Sequence, residues 1–259
     1  MSSSKPLLVF DFDGVVVDGI AEYWWSARRA CLKLLGREFD STSLPNTVPT
    51  PFMELRPWVH KGWEMVLIAA ELIRPDSPLT LKDTQFFANK YSLHCKEALK
   101  AWHWHPTQLQ DSLDSVRKQA VTTNKEQWLT RHQIFPGVAK RLTQLKAEGC
   151  EFAVLTTKSS EFTLELLDHF QLNPKLVFGH EAGSKANVLL QLIQAHSLKG
   201  FIEDRRVTLE TIINTPGLES LPCYLASWGY LKNDDTSTLP PSIHLLEPKT
   251  FMAPLADWP

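Results

Sequence analysis

From about residue 134 to residue 227 the chain alternates between two hydrophobic patterns. "EFAVLTT" (151–157), "KLVFG" (175–179), "GFIED" (200–204) and "LPCYLAS" (221–227) are short, nearly continuous apolar runs with polar ends. That is how strands buried on both faces read. Between them lie "FPGVAKRLTQLKAEGC" (135–150), "SSEFTLELLDHFQL" (159–172), "SKANVLLQLIQAHSL" (184–198) and "RVTLETIIN" (206–214), whose apolar residues recur every three or four positions. This spacing predicts amphipathic helices, the first closed by Gly149. One helix between successive buried strands implies a parallel sheet covered on both faces. "LLVF" at 7–10 belongs to the same series, and "IHLL" at 243–246 offers one further short strand near the Pro-rich end.

Residues 19 to 133 break the alternation, showing helical periodicity and no clear strand. "GIAEYWWSARRACLKLLG" (19–36) ends on a glycine suited to a helix terminus. "MELRPWVHKGWEMVLIAAELI" (53–73) places Val59, Trp63, Val66, Leu67 and Ala70 at helical spacing, and two or three more helices follow. Pro45, Pro49, Pro51, Pro75, Pro78 and Pro106 read as loop markers, and Pro57 as a first-turn residue. The expected fold class is α/β: a Rossmann-like three-layer α/β/α core from residues 1–18 and 134–259, with an all-helical domain inserted at 19–133.

Charge and composition narrow the partners. With 27 basic against 29 acidic side chains and a net charge of −2, no basic field calls for nucleic acid or a membrane surface. The stretch "MSSSKP" leads directly into a strand, and "VLIAA" (66–70) is far too short to span a bilayer. A cytoplasmic protein, monomer or homodimer, is therefore expected. Cys31, Cys95, Cys150 and Cys223 lie far apart without CxxC spacing, as inert reduced thiols do. Seven of the nine tryptophans fall between residues 24 and 128. Trp25, Trp58 and Trp63 are expected in the core of the inserted helices. "WHWH" (102–105) suggests packing and loop chemistry rather than a metal site, because His103 and His105 would point apart on a helix and no acid or cysteine partner is close.

In a doubly covered parallel sheet, the loops leaving the strand C-termini line one crevice. The residues at those ends are Asp11 and Asp13; Thr156, Thr157 and Lys158; Lys185 at the next helix start; and Glu203 with Asp204. Carboxylates make a hard oxygen site for Mg²⁺, while lysines and hydroxyls neutralise phosphoryl oxygens. One carboxylate can attack phosphorus, and a second, past an apolar Phe12 facing the other way, can handle the leaving-group proton. Asp18 reads as an N-cap of the first inserted helix.

Asp11-Phe12-Asp13-Gly14, Thr156 after an apolar strand, Lys185, and Glu203-Asp204 after another apolar strand resemble, in order, the four motifs of the haloacid dehalogenase superfamily. "FPGV...LKAEGCEFAVLTTK" and the "SWGY" turn (227–230) are similar to the phosphoglycolate phosphatase and β-phosphoglucomutase-like group, and the insertion stands where that group carries a helical cap. The resemblance implies a phosphatase of a small phosphorylated metabolite, such as phosphoglycolate or a sugar phosphate, or alternatively a phosphomutase or a catalytically retired binding protein. It implies Asp11 as nucleophile and Mg²⁺ ligand, Asp13 as acid/base whose carbonyl also binds Mg²⁺, Asp204 as a further ligand, and Thr156 and Lys185 as phosphate binders with Thr157 beside them. The second aspartate distinguishes the sequence from the dehalogenases themselves. Val15 replaces a frequent threonine, and Thr208 and Leu209 stand where a second acid of the fourth motif often falls. Glu203 therefore takes that acidic role, and Glu210 is left on a helix surface. Arg56, His60, Lys61 and Lys158 are the candidates for contact with the leaving group. The insertion, at about 115 residues, is long for such a cap.

Overall fold

The computed structural model describes residues 5–37 and 42–259. The chain divides into two compact units, Met1–Asp18 with Gln133–Pro259, and Gly19–His132. In chain order, the first unit opens with β1 (Leu7–Phe10) and β2 (Val17–Asp18). The second unit holds α1 (Ile20–Leu34), α2 (Thr50–Leu55), α3 (Gly62–Glu71), α4 (Pro78–Leu81), α5 (Thr84–Asn89), α6 (Tyr91–Trp102) and α7 (Pro106–Leu129). The first unit resumes with β3 (Gln133–Ile134), α8 (Val138–Ala147), β4 (Glu151–Leu155), α9 (Ser160–His169), β5 (Leu176–Phe178), α10 (Lys185–Ala195), β6 (Leu198–Glu203), α11 (Arg206–Ile213), β7 (Cys223–Ala226), β8 (Ile243–Leu246) and α12 (Pro248–Phe251).

Six of these strands form one parallel sheet in the order β5-β4-β1-β6-β7-β8. Leu7, Leu8, Val9 and Phe10 are fully buried, because β1 has hydrogen-bonded neighbours on both sides and apolar layers above and below. Alternation sorts the side chains. Leu7, Val9, Ala153, Leu155, Phe201, Cys223 and Leu225 share a core with Val188, Leu189 and Leu192 of α10 and with Leu209 and Ile212 of α11. On the other face the Phe10 ring meets Phe152 and Phe251 edge-on at 6.1 and 6.3 Å. At about 1.5–3 kcal/mol for each fully buried aliphatic or aromatic side chain, β1 alone accounts for roughly 6–12 kcal/mol of burial as an upper bound.

A separate antiparallel ribbon joins β2 to β3, pairing Val17 with Ile134 and Asp18 with Gln133. It ties the point where the chain leaves the first unit to the point where it returns. Two-residue strands have too little pattern to be read in sequence. Leu198 begins β6 instead of ending the preceding helix, which stops at Ala195.

Several expectations for the second unit are corrected. The stretch 53–73 is not one helix: Pro57 sits in a 3-10 turn, Arg56–Trp58, which separates α2 from α3 and leaves Val59 outside both. A proline lacks the N–H a continuing helix needs and disfavours helical geometry at the residue before it. Pro51, Pro78 and Pro106 lie in helical first turns rather than loops, where the missing N–H would have had no partner anyway. His103 and His105 are exposed on the turn between α6 and α7, not on a helix: His103 takes the left-handed conformation at the end of α6, and His105 precedes α7. Inside α7, Asn124 leaves helical geometry at φ −157° and its side chain accepts from Gln127 N–H at 3.0 Å, restarting the helix.

The buried tryptophans are Trp24, Trp104 and Trp128, not Trp25, Trp58 and Trp63, which are all only partly buried. The guanidinium groups of Arg29 and Arg131 lie over the Trp25 ring, 4.7 and 4.4 Å from its centre. Among the described residues, this half of the chain buries three glutamates. Glu22 accepts two bonds from Arg117, at 2.9 and 2.7 Å, and others from Trp128 Nε1 and Ser26. Glu71 accepts from Arg74, Ser77 and Trp102 Nε1. Glu64 accepts from Tyr91 and from the His60 amide. A buried carboxylate is tolerated only with such saturation, so two of the indoles serve as hydrogen-bond donors as well as apolar bulk. Among the described residues no helix is long and apolar enough to cross a membrane.

Candidate active site

β1 lies between β4 and β6, so the loops leaving these three strands meet at one edge. The Asp11 amide still donates to Ile202 O of β6 at 2.8 Å, which aligns the first carboxylate with the end of the sheet. The chain then turns sharply: Val16 and Val17 donate to Phe12 O, and Gly14 N donates to Val17 O, each at 2.9 Å. Phe12 is fully buried and anchors the turn between the two acids.

Lys185 is the hub of the site. Ser184 caps α10 by accepting from Asn187 N–H at 3.2 Å, which puts Lys185 in the first helical turn. Its Nζ lies 2.8 Å from Asp11 Oδ1 and 2.6 Å from Glu203 Oε2. Glu203 Oε1 accepts from the Arg205 amide at 3.3 Å. At the end of β4, buried Thr156 accepts from the Lys158 amide at 3.1 Å, and Lys158 Nζ comes within 3.5 Å of Asp13 Oδ1. Asp11, Asp13, Thr156, Lys158, Lys185, Glu203 and Asp204 thus meet at the expected edge, while Thr157 is exposed on the loop beyond it.

Burial dominates the electrostatics. It pushes Asp11 up to about 7 with repulsion from Glu203 assisting, and the Lys185 ammonium only partly offsets the rise. Glu203 is likewise raised by burial against the pull of Lys185. Burial alone would lower Lys185, yet Asp11 and Glu203 hold its ammonium above the ordinary lysine range.

The turn after β7 completes the site, and its role is not visible in sequence beyond the bare string "SWGY". Trp228 Nε1 donates to Val15 O at 3.0 Å, Tyr230 N–H to Asp204 Oδ2 at 2.9 Å, and Tyr230 OH to Asp18 Oδ1 at 2.6 Å. Asp18 is therefore not the N-cap of α1. Gly19 holds that position without a side-chain cap, and Asp18 ends β2 as an acceptor for Tyr230. Gly14, at φ +92°, and Gly229 let the turn close: a Cβ on Gly14 would lie 1.9 Å from Asp204 Oδ2, and one on Gly229 2.3 Å from Asp204 Cβ.

The remaining candidates belong to the second unit. Arg56 sits in the 3-10 turn with its guanidinium 5.1 Å from the Tyr23 ring, His60 is exposed with its ring edge-on to Tyr91, and exposed Lys61 precedes α3. They share one segment, 56–61.

A family model for haloacid dehalogenase-like hydrolases matches residues 6–195, most of the chain. The chain belongs to the haloacid dehalogenase-like hydrolases. No sequence among the curated proteins matches it. Among solved structures it is similar to a phosphatase assigned by prediction from Clostridium acetobutylicum, with TM-score 0.55 and 16% identity over 94% of this chain and 95% of that one. It is also similar to a phosphoglycolate phosphatase assigned by prediction from Haemophilus somnus, at TM-score 0.53 and 15% identity over 89% and 88% of the two chains. A provisionally assigned β-phosphoglucomutase from Thermotoga maritima gives TM-score 0.55 and 13% identity over 95% and 96%. At these identities the likenesses establish the shared fold.

The family generally uses Mg²⁺, and the residues present fit it. One oxygen each from buried Asp11, Glu203 and Asp204 lie within 4.8 Å of one another. All are hard carboxylate donors, as Mg²⁺ prefers. The cluster of Asp11, Asp13, Glu203 and Asp204 also holds two more carboxylates than the lysines paired with it. A divalent cation would balance that excess and relieve the repulsion that raises Asp11.

Proposed function

We propose that the protein is a Mg²⁺-dependent phosphatase of a small phosphorylated metabolite, acting through an aspartyl phosphate on Asp11. The carrying observation is Lys185 held between Asp11 and Glu203 at 2.8 and 2.6 Å. A cation fixed against the attacking carboxylate is placed to neutralise an incoming phosphoryl group. Asp11, Asp204 and the Asp13 carbonyl would hold Mg²⁺, which supplies charge neutralisation at the phosphoryl oxygens when bound. Glu203, expected from the sequence among the metal-site acids and lying in the same carboxylate cluster, has both oxygens engaged by Lys185 and the Arg205 amide, so its proposed role is instead to anchor Lys185 beside the ion.

An Asp11 carboxylate oxygen attacks phosphorus as the ester P–O bond breaks, and Asp13 gives its proton to the departing oxygen. Asp13 then takes a proton from water, which attacks phosphorus, releases inorganic phosphate and regenerates Asp11. Thr156 and Lys185 bind phosphoryl oxygens. Lys158 stands beside Asp13, on the side where the leaving oxygen collects its proton, which supports a substrate with an anionic or hydroxylated leaving group of phosphoglycolate or sugar-phosphate size.

A phosphate-release screen over phosphorylated metabolites, with Mg²⁺ and with EDTA, tests this reading. Release by wild type and its loss in folded Asp11→Asn is expected. Bisphosphate formation without net release would replace it with a mutase. No turnover of any substrate would replace it with a binding role.

A further inference from the structure

Tyr230 touches two parts of the first unit that have no sequence connection. Its amide donates to Asp204 Oδ2 at 2.9 Å, which restrains that carboxylate. Its hydroxyl donates to Asp18 Oδ1 at 2.6 Å, and its ring meets Phe135 edge-on at 6.4 Å. Asp18 ends β2, and Phe135 follows β3, whose amide-to-Val16 bond continues the ribbon at 3.1 Å. One residue therefore grips both strands of the exit-and-return ribbon with its side chain and a candidate metal ligand with its backbone. The packing leaves little slack: Gly14 and Gly229 both approach Asp204 so closely that neither could carry a Cβ unmoved.

We infer that Tyr230 is a positioning residue that transmits the register of the β2–β3 ribbon to the Asp204 carboxylate and so sets the protein's affinity for Mg²⁺. The inference rests on the metal-dependent reading above. If the hydroxyl bond to Asp18 is lost, the Phe135 ring contact and the Trp228 bond to Val15 O still hold the turn, but the Tyr230 amide is less restrained, and the Asp204 carboxylate gains rotational freedom that ion binding must then remove.

The test is Mg²⁺ binding by titration calorimetry on the full chain, with thermal unfolding in EDTA as a separate readout of the fold. Tyr230→Phe keeps the ring and the backbone bond but loses the hydroxyl, and Asp18→Ala removes the acceptor from the other side. Each is expected to weaken Mg²⁺ binding by about 5- to 20-fold, part of what a hydrogen bond to a charged group can supply. The double variant is expected to be no weaker than either single one, because both break the same link. Asp18→Asn retains an acceptor oxygen and is expected to bind within about twofold of wild type. Folded Tyr230→Phe and Asp18→Ala proteins with wild-type Mg²⁺ affinity would overturn the inference, whatever their melting temperatures. So would an Asp18→Asn protein as weak as Asp18→Ala, or a wild type that does not bind Mg²⁺. A wild type that binds Mg²⁺ and shows this variant pattern, yet releases no phosphate, would keep the inference and sink the phosphatase reading.

Discussion

Replacing Lys185 by methionine removes the cation between Asp11 and Glu203 while roughly keeping its volume. At 2.8 and 2.6 Å, each attraction is gross about 6 kcal/mol at an effective dielectric constant near 20. Desolvation cancels much of it, as Asp11 at about 7 already shows, and losing one partner of a buried pair leaves a net cost of roughly 3–5 kcal/mol. The cost must depend on pH. In wild type without metal, folded Asp11 holds a proton that the unfolded chain gives up near pH 4, so its contribution to stability falls as pH rises from about 4 to about 7 and then levels. Without Lys185, Asp11 and Glu203 are pushed higher still, and protonation against bulk solvent costs about 1.4 kcal/mol for each further pH unit and group.

The gap between Lys185→Met and wild type should therefore be small at pH 5 and widest at pH 8. At pH 8 a loss of about 3 kcal/mol lowers the melting temperature by roughly 6–12 °C for a protein of this size. The assay is thermal unfolding in EDTA at pH 5, 6.5 and 8, paired with phosphate release in Mg²⁺ at pH 7.5. Turnover should fall at least about a thousandfold, since both the phosphoryl-binding cation and the ionised nucleophile are lost. An equal melting shift at all three pH values, or a variant that still turns over, would refute the hub assignment.

Mg²⁺ must displace the Asp11 proton, so its apparent affinity should rise about tenfold per pH unit below pH 7 and flatten above it, as titration calorimetry in two buffers of different ionisation heat would reveal. Gly14→Ala would thrust a Cβ to 1.9 Å from Asp204 Oδ2 at φ +92°; displacing that carboxylate should cost about 100-fold in turnover, measured in protein shown by circular dichroism to be folded. In the helical unit, Glu22→Ala leaves the mostly buried Arg117 guanidinium without its carboxylate, which should destabilise by about 3–5 kcal/mol in denaturant unfolding.

How much of this was legible follows from the periodicities. β1, β4, β5, β6, β7 and β8 are apolar runs, and the acids and threonine that stop those runs are the site residues, so the edge of the sheet could be read directly. Lys185 was harder: only its place at the next helix start set it apart from the surface lysines Lys175 and Lys199, and its reach to Asp11 and Glu203 is a property of the α10 cap. The helical unit was legible in type but not in boundaries, because proline at a helix start and proline in a loop look alike in a single sequence. Its buried tryptophans were misassigned because hydrophobicity alone does not show which indole N–H finds an acceptor. Trp24, Trp102 and Trp128 all donate, to Pro45 O, Glu71 and Glu22.

Asp18 shows the same limit within the site. Read locally, an aspartate ahead of a helix is a cap, since the first amides of a helix need acceptors. The fold assigns it otherwise because Tyr230, 212 positions away in sequence, brings its hydroxyl to 2.6 Å. The same turn donates from Trp228 to Val15 O and from the Tyr230 amide to Asp204, so three hydrogen bonds from two residues hold the first-motif loop, the ribbon and the fourth-motif acid together. Asp11 and Asp204 each continue directly from a buried strand, β1 and β6, but the Asp204 carboxylate also accepts from the turn after β7 through the Tyr230 amide. Substitutions in residues 227–230 should therefore act on the geometry of Asp204 while leaving the strand-borne nucleophile where it is.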